Sequence, residues 1–358
     1  MSDERPVLFV TNHAPPARVP AFRLLAEQED VQYALVGGDV RHGGGGTDAG
    51  VATLPAHRVS ERAVHGLAAS GRFRAVVAGL SGRVALPAAY LGARRARVPF
   101  VLWATIWAHP RTPAHTLSFL PLRHLYRDAD AIVTYGRHVT RYVRSKGASG
   151  PVFEAPQAVD NAFWGEPVDA DRRAPFQAVF AGRMEGEKGV DVLLEAWRRT
   201  GLSVPEAALI LAGGGGGAPG PGEAIQTGER SPHQLRNLYA GSDVLVLPSV
   251  PTRDFREPWG LVVNEGMNQH LPVIATEAVG AAAGGLVEHE STGLVVPAGD
   301  PLALARALRR LHDDPALRTR LGERAREAVQ AYTFAAWAGG MSRALTAVGA
   351  GRDLEAAC

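Results

Sequence analysis

The sequence predicts an α/β protein made of two doubly wound, Rossmann-like domains in tandem. Three observations carry this expectation. Short apolar runs alternate with amphipathic segments, the alternation restarts part-way along the chain, and the balance of charge changes sign near the same place. At 358 residues the chain is long for one domain and comfortable for two. Met1–Gly150 holds 19 Lys+Arg against 10 Asp+Glu, whereas the remainder holds 19 against 26. The small net charge of +2 therefore hides a basic front half and an acidic rear half. A basic front half either attracts something anionic or solvates a surface, and both readings stand.

Taken in order, Pro6–Thr11, Val31–Val36, Ala75–Ala78, Phe100–Ala104 and Ala131–Thr134 are near-continuous apolar runs, as strands buried on both faces are. Between several of them lie the amphipathic stretches Ala21–Glu27, Leu86–Ala96 and Arg137–Lys146. Strand-then-helix order makes the sheet parallel. The pattern restarts at Ala178–Ala181 and continues through Ala208–Ala212, Val244–Pro248 and Val273–Thr276. Late helices follow at Pro301–Leu311, Pro315–Ala331 and about Phe334–Val348. Pro151–Ala174 is rich in Pro, Asp and polar residues, and the linker is expected at about Val168–Pro175. The domains then span 1–167 and 168–358, with the last helix, about 334–348, able to cross back to the first. Doubly wound sheets take ligands at the carboxyl ends of their strands, so the expected site is the cleft between the domains. Gly43–Gly46 reads as a surface loop, and Gly213–Gly217, directly after a strand, as a loop or a point of close backbone approach.

Composition narrows the class. Hydrophobic residues make up 46% and charged residues 21%, as in ordinary soluble protein. A single cysteine, Cys358, forms no internal disulfide and fits a reducing compartment. The opening Met-Ser-Asp-Glu-Arg-Pro lacks an export pattern, and no run approaches the roughly 18–20 apolar residues of a membrane span. A cytoplasmic location is expected, with any membrane contact peripheral. No nucleic-acid partner is expected. Neither is a metal or other cofactor, because the histidines are scattered and no aspartate-any-aspartate motif closes a strand.

The most informative segment, Pro248–Thr276, reads strand, loop, helix, strand. Glu257 lies in the loop, Pro258 favours a helix start, and Trp259–Gln269 can form the helix. Glu265 follows Glu257 by eight positions, about 12 Å if the whole interval were helical. Two carboxylates so placed can hold opposite ends of an elongated ligand, with the amides of the helix start receiving a diphosphate between them. The second segment is Phe180–Trp197, where a strand, a glycine turn at Gly182, Arg183 and Lys188 precede a helix from about Val190. Lys188 is one of just two lysines in the chain. Two fixed cations at the mouth of a strand neutralise the charge that develops on a departing diphosphate.

With these residues in view, the sequence resembles the retaining glycosyltransferases of family four, which have the GT-B fold. GRMEGEKGVDVLLEA is similar to that family's arginine–lysine donor motif, and EPWGLVVNE to its paired-glutamate motif. ERSPHQLRNLYAGSDVLVLPS and PQAVDNAFW also follow its pattern. The likeness covers almost all of Phe176–Pro297 in detail and the front half in outline. It implies that Arg183 and Lys188 bind the donor diphosphate beside Gly182, that Glu265 holds the ribose hydroxyls, and that Glu257 contacts the transferred sugar. It places backbone amides of Trp259, Gly260 and Leu261 on the distal phosphate, and the nucleobase against Thr227, Gly228 and Arg230. His109, closing VLWATIWAH, stands where the family often has a histidine near the donor sugar and phosphate.

One departure is plain. The family often has a glycine-rich turn after the first strand, whereas this chain has Asn12-His13-Ala14-Pro15-Pro16-Ala17-Arg18. Proline removes amide donors, so His13 and Arg18 are read instead as lining the acceptor side. The activity so implied is metal-independent, retaining transfer of a hexose-type sugar from a UDP- or GDP-sugar to a hydroxyl of a small-molecule, lipid or glycan acceptor. Same-face attack and double displacement both remain open. A nucleotide-sugar epimerase of the same fold and a non-catalytic sugar-nucleotide-binding protein are the alternatives. A nicotinamide dehydrogenase is rejected, because Pro15-Pro16 occupies the turn where its glycine fingerprint belongs. The basic front half, with Arg137, Arg141 and Arg144 at helical spacing and Arg94-Arg95 nearby, permits an anionic lipid as well as a free anionic or small polar acceptor.

Overall fold

The structure, a computed structural model, describes residues 3–37, 53–80, 84–110, 113–215 and 224–352. Gly43–Gly46, Gly216, Gly217 and Cys358 lie outside the described residues. The chain divides into two compact units. The first contains Met1–Trp107, Pro113–Ala158 and Thr333–Cys358, and the second Ala108–Thr112 and Val159–Tyr332.

In the first unit the strands are β1 (Val7–Thr11), β2 (Val31–Leu35), β3 (Ala56–Arg58), β4 (Ala75–Gly79), β5 (Phe100–Ala104), β6 (Ala131–Thr134) and β7 (Val152–Glu154). They form one sheet in the order β3-β2-β1-β4-β5-β6-β7, every described pair parallel. The order reverses at β1 and β4, and such switch points are where open α/β sheets bind ligands. The second unit has β8 (Phe176–Ala181), β9 (Ala207–Ala212), β10 (Ile225–Gly228), β11 (Val244–Leu247), β12 (Val273–Thr276) and β13 (Gly293–Val296). Their order is β10-β9-β8-β11-β12-β13, again parallel, with the switch between β8 and β11. Two Rossmann-like sheets of seven and six strands are thus in place.

Four strands escape the sequence reading, namely β3, β7, β10 and β13, and all four are sheet edges. An edge strand pairs on one side only, so all four are short, and β3, β7 and β10 also carry exposed polar residues that the inner strands lack. The inner strands β1, β4, β5, β6, β8 and β9 are buried at every position, which is why their sequences read so clearly.

The units divide between Ala158 and Val159, whereas the sequence places the boundary at 167/168. The intervening residues pack into the second unit. The Trp164 ring lies tilted 5.9 Å from that of Tyr239, Gln269 donates to the Glu166 carbonyl at 3.0 Å, and Arg236 donates to the Phe163 carbonyl at 2.7 Å. Polar composition there marks a surface, and the tether begins elsewhere. The helix Phe334–Ala347 groups with the first unit. Its Trp337 lies 5.4 Å from Phe22 and 5.8 Å from Trp103, and a Cβ on Gly340 would meet the Glu154 carbonyl at 2.4 Å.

Candidate functional site

The second unit's switch point is framed by the turn after β8 and the loop after β11. Glycine shapes both. Gly182 continues β8 past its end, donating to the Ala212 carbonyl at 2.9 Å, while Gly213 donates to the Gly228 carbonyl at 2.9 Å. A Cβ on Gly213 would stand 1.8 Å from the Gly182 carbonyl oxygen. Gly182, Gly213 and Gly228 therefore form a row of closely apposed backbone at the ends of β8, β9 and β10. Of the glycine run, Gly213 at least is a close approach and not merely a loop.

Beyond Gly182 the chain makes a short 3-10 turn, Gly186–Lys188, closed by Gly189 at φ 68°. A Cβ on Gly189 would lie 2.1 Å from the Pro248 carbonyl oxygen, and the Val250 amide donates to the Glu187 carbonyl at 3.0 Å. This contact sets the Lys188 turn directly on the end of β11. Lys188 Nζ sits 2.5 Å from Glu257 Oε2, and the Ser249 hydroxyl donates to the same oxygen at 3.3 Å. Both charged side chains are mostly enclosed, Lys188 at 15% exposure and Glu257 at 8%. The pair is strong because water is largely excluded from it. Arg183 is more open and pairs with Glu185 at 2.5 Å and with Glu187 at 3.7 Å. Hydrogen bonding within this acidic cluster and the nearby Arg183 charge lower the Glu185 pKa.

The loop carrying Glu257 is held by the helix Gly280–Ala283. The Gly280 amide donates to the Glu257 carbonyl at 3.0 Å, and the Ala281 amide to the Trp259 carbonyl at 2.9 Å. A Cβ on Gly280 would be 1.9 Å from the Pro258 carbonyl oxygen. Trp259 is buried, with its indole N–H on Asn264 Oδ1 at 2.7 Å. The helix itself runs Leu261–Asn268, a correction to the expected Trp259–Gln269. Gly260 is the reason, since its φ of 93° is left-handed and Trp259 precedes it outside the helix. Glu257 and Glu265 are thus separated by loop and helix, and the purely helical spacing does not apply. No side chain caps this helix start, so its first amides lack an intrahelical acceptor.

Glu265 points to a different neighbour. The Tyr239 hydroxyl donates to its Oε2 at 3.1 Å. Part of the residue's surface stays open, yet dense surroundings desolvate the carboxyl and push its pKa up to about 7, against a smaller lowering by the Tyr239 bond. Burial also drives the Tyr239 pKa well upward. Thr227 and Gly228 end β10, where the Thr227 hydroxyl donates to the Leu211 carbonyl at 3.4 Å. Arg230 precedes Ser231, which caps the helix Pro232–Ala240 with a full capping box.

The structure therefore brings Lys188 and Glu257 into contact, keeps Arg183 beside them in sequence on its own acidic partners, and sets Glu265 on Tyr239. His109 falls in Ala108–Thr112, which clusters with the second unit. His13 and Arg18 belong to the first unit, His13 exposed and Arg18 half-buried. The turn after β1 is closely packed by Gly37, just beyond β2, where a Cβ would meet the Asn12 carbonyl oxygen at 2.6 Å. Sequence reasoning missed Ser249, Tyr239 and Asn264. Ser249 closes the Pro-Ser that directly follows β11, which was the available signal, whereas the other two carry none. Among the described residues no group of three or more His, Cys, Asp or Glu could hold a metal ion.

Known proteins resemble this chain in sequence and fold. The family described as glycosyl transferases group 1 matches residues 170–328, nearly the whole second unit. Those residues belong to the group 1 glycosyltransferases. The D-inositol 3-phosphate glycosyltransferase of Kineococcus radiotolerans is 30% identical over 212 residues, covering 51% of this chain and 45% of that protein. The α-D-kanosaminyltransferase of Streptomyces kanamyceticus is 30% identical over 157 residues, covering 41% and 39%. These matches thus span about half or less of the relatives' length. Anabaena HepE, solved with UDP-glucose, is 16% identical with a TM-score of 0.72 over 96% of this chain and 100% of that one. That likeness is one of fold, the GT-B fold.

Proposed function

We propose that the protein is a retaining glycosyltransferase that moves a hexose-type sugar from a UDP- or GDP-sugar to an acceptor hydroxyl without a metal ion. One observation carries this reading, the Lys188–Glu257 pair held beside the uncapped start of the helix Leu261–Asn268 at a sheet switch point. Anabaena HepE, whose fold matches, was solved with UDP-glucose, which favours a UDP-linked donor.

In this reading the donor diphosphate takes Lys188 from Glu257 and Arg183 from its glutamates, and the amides of Gly260 and Leu261 receive the distal phosphate. Glu257, released, accepts hydrogen bonds from the sugar hydroxyls. Glu265 accepts from the ribose, while Thr227, Gly228 and Arg230 lie along the base. His109 stands by the donor sugar, and His13 and Arg18 belong to the acceptor side. The acceptor oxygen bonds to the anomeric carbon as that carbon's bond to the diphosphate breaks. The bonding pair leaves with the diphosphate, whose oxygen takes the acceptor's proton on the same face. Lys188 and Arg183 stabilise the charge that builds there.

Replacing Lys188 with Ala should lower turnover by about a hundredfold or more while the protein stays folded. The measurement is sugar release and transfer from UDP-glucose and GDP-mannose, beside a circular dichroism spectrum. Near-normal turnover in K188A removes the assigned role.

Peripheral contact with an anionic membrane is part of the proposal. It is supported by Leu117 and Leu120, 82% and 70% exposed on the helix Pro113–Asp128, with exposed Arg123 and Arg127 alongside. Absence of binding to anionic vesicles at low salt discards that part.

A further inference from the structure

We propose that Arg18 is an oxyanion receptor in the first unit, taking a phosphate or carboxylate group of the acceptor. The word acceptor rests on the glycosyltransferase reading; the anion site rests on the first unit alone.

Arg18 follows β1 at the sheet's switch point and immediately precedes the helix Val19–Glu29. Its guanidinium lies 5.0 Å from the Trp103 ring centroid and 5.6 Å from that of Tyr135. Nη1 donates to the Tyr135 hydroxyl at 3.1 Å, and Nη2 donates to Gln157 Oε1 at 2.8 Å. Trp103 is on β5, Tyr135 directly follows β6 and Gln157 lies just beyond β7, so the guanidinium is pinned over the carboxyl ends of the strands.

Every one of these partners is neutral. Among the described residues no carboxylate pairs with Arg18, whereas several other enclosed cations have one. Arg74 has Glu29, Arg94 has Asp128 and Asp130, Arg236 has Glu166, and Lys188 has Glu257. A half-buried cation is ordinarily paired, because desolvation without a counter-ion is unfavourable. The remaining positive features agree in sign. The helix Val19–Glu29 has no side-chain cap and no acidic residue in its first turn, and the buried indole N–H of Trp103 has no acceptor. Two hydrogen bonds and two rings hold the fork in one orientation with N–H groups to spare, which is the preorganisation that bidentate oxyanion recognition uses.

The test fills the donor site first, so that Arg183 and Lys188 do not compete. With UDP saturating, inorganic phosphate and glycerol 3-phosphate are titrated calorimetrically into the wild type, Arg18→Gln and Arg18→Lys. Saturable phosphate binding is expected in the wild type, at least about tenfold weaker in R18Q, and intermediate in R18K, whose ammonium keeps charge but not the fork. R18K stands in if R18Q does not fold. Wild-type protein that takes up no phosphate, or R18Q that binds it as well as wild type, overturns the proposal. Failure of the UDP titration itself sinks the donor reading and leaves the anion site to be judged by phosphate alone. Arg18-dependent sedimentation with phosphatidic acid vesicles, but not phosphatidylcholine vesicles, identifies the oxyanion as a lipid headgroup. Glycerol 3-phosphate binding without vesicle binding identifies it as soluble.

Discussion

Glu265 is a carboxyl whose surroundings disagree with the charge its proposed work requires. Burial raises its pKa from 4.5 to about 7, so near neutrality it carries a proton about half the time. Two consequences follow with opposite signs. In folding, the native state holds this proton and the unfolded chain releases it between pH 4.5 and about 7, so the group's contribution to stability falls as pH rises through that window. In donor binding, the ionised form is the one that accepts both ribose hydroxyls, so UDP affinity rises with pH up to about 7. Below that value the dissociation constant should change by about tenfold per pH unit. Glu265→Gln should bind weakly at every pH and flatten both profiles. Calorimetric titration of UDP and thermal melts from pH 5 upward check this, and a wild-type affinity independent of pH contradicts the assignment. Lys188 drew notice in the sequence as a rare lysine beside Gly189 just past a strand, and Glu257 and Glu265 through their spacing of eight across a predicted helix start. Tyr239, which fixes Glu265, was not legible, since a tyrosine near the end of an amphipathic helix looks like core until a partner from another helix reaches it.

At the scale of elements, glycine decides where the loops of the candidate site lie. Gly189 seats the Lys188 turn on the Pro248 carbonyl, and Gly280 seats the Glu257 loop on a helix far along the chain. The inner strands were readable because burial on both faces forces continuous apolar runs, and the edges were not because one free side relaxes that demand. The helix start was misread for a related reason. Pro258 favours a helix, but the left-handed Gly260 overrides it, and only packing against Leu247, 2.5 Å from a Cβ there, reveals why. Gly280→Ala places a methyl 1.9 Å from backbone oxygen, which no rotamer relieves. It should cost about 1–3 kcal/mol and shift the Glu257 loop, so transfer falls more steeply than melting temperature. By contrast, a Cβ on Gly186 meets nothing within 4 Å, so Gly186→Ala serves as the control for a glycine change in the same region. Equal activity in the two variants removes the packing argument.

At the scale of the molecule, the chain's last described segment completes the first unit, not the second. Trp337 joins the ring cluster of Phe9, Phe22, Tyr33 and Trp103, with centroids 4.8–6.3 Å apart. The buried Arg74–Glu29 pair is finished by the same segment, Arg74 donating to the Ala350 carbonyl at 2.8 Å and the Arg352 amide to Glu29 at 3.0 Å. Ending the chain before Thr333 leaves both charges in place but takes one hydrogen bond from each, at about 1–3 kcal/mol apiece, and losing the buried Trp337 side chain costs about 3–5 kcal/mol more. A chain ending before Thr333 should therefore lose the first unit's cooperative melt. The second unit keeps its sheet and the contact of Trp259 with Tyr332, centroids 5.6 Å apart. Titrating that truncated chain with UDP should still raise the melting temperature of what remains, because a ligand stabilises whichever unit binds it. Trp337→Ala in the full chain should produce a milder form of the same split. A single cooperative loss of both units, together with UDP binding, would show that the second unit does not carry the donor site independently.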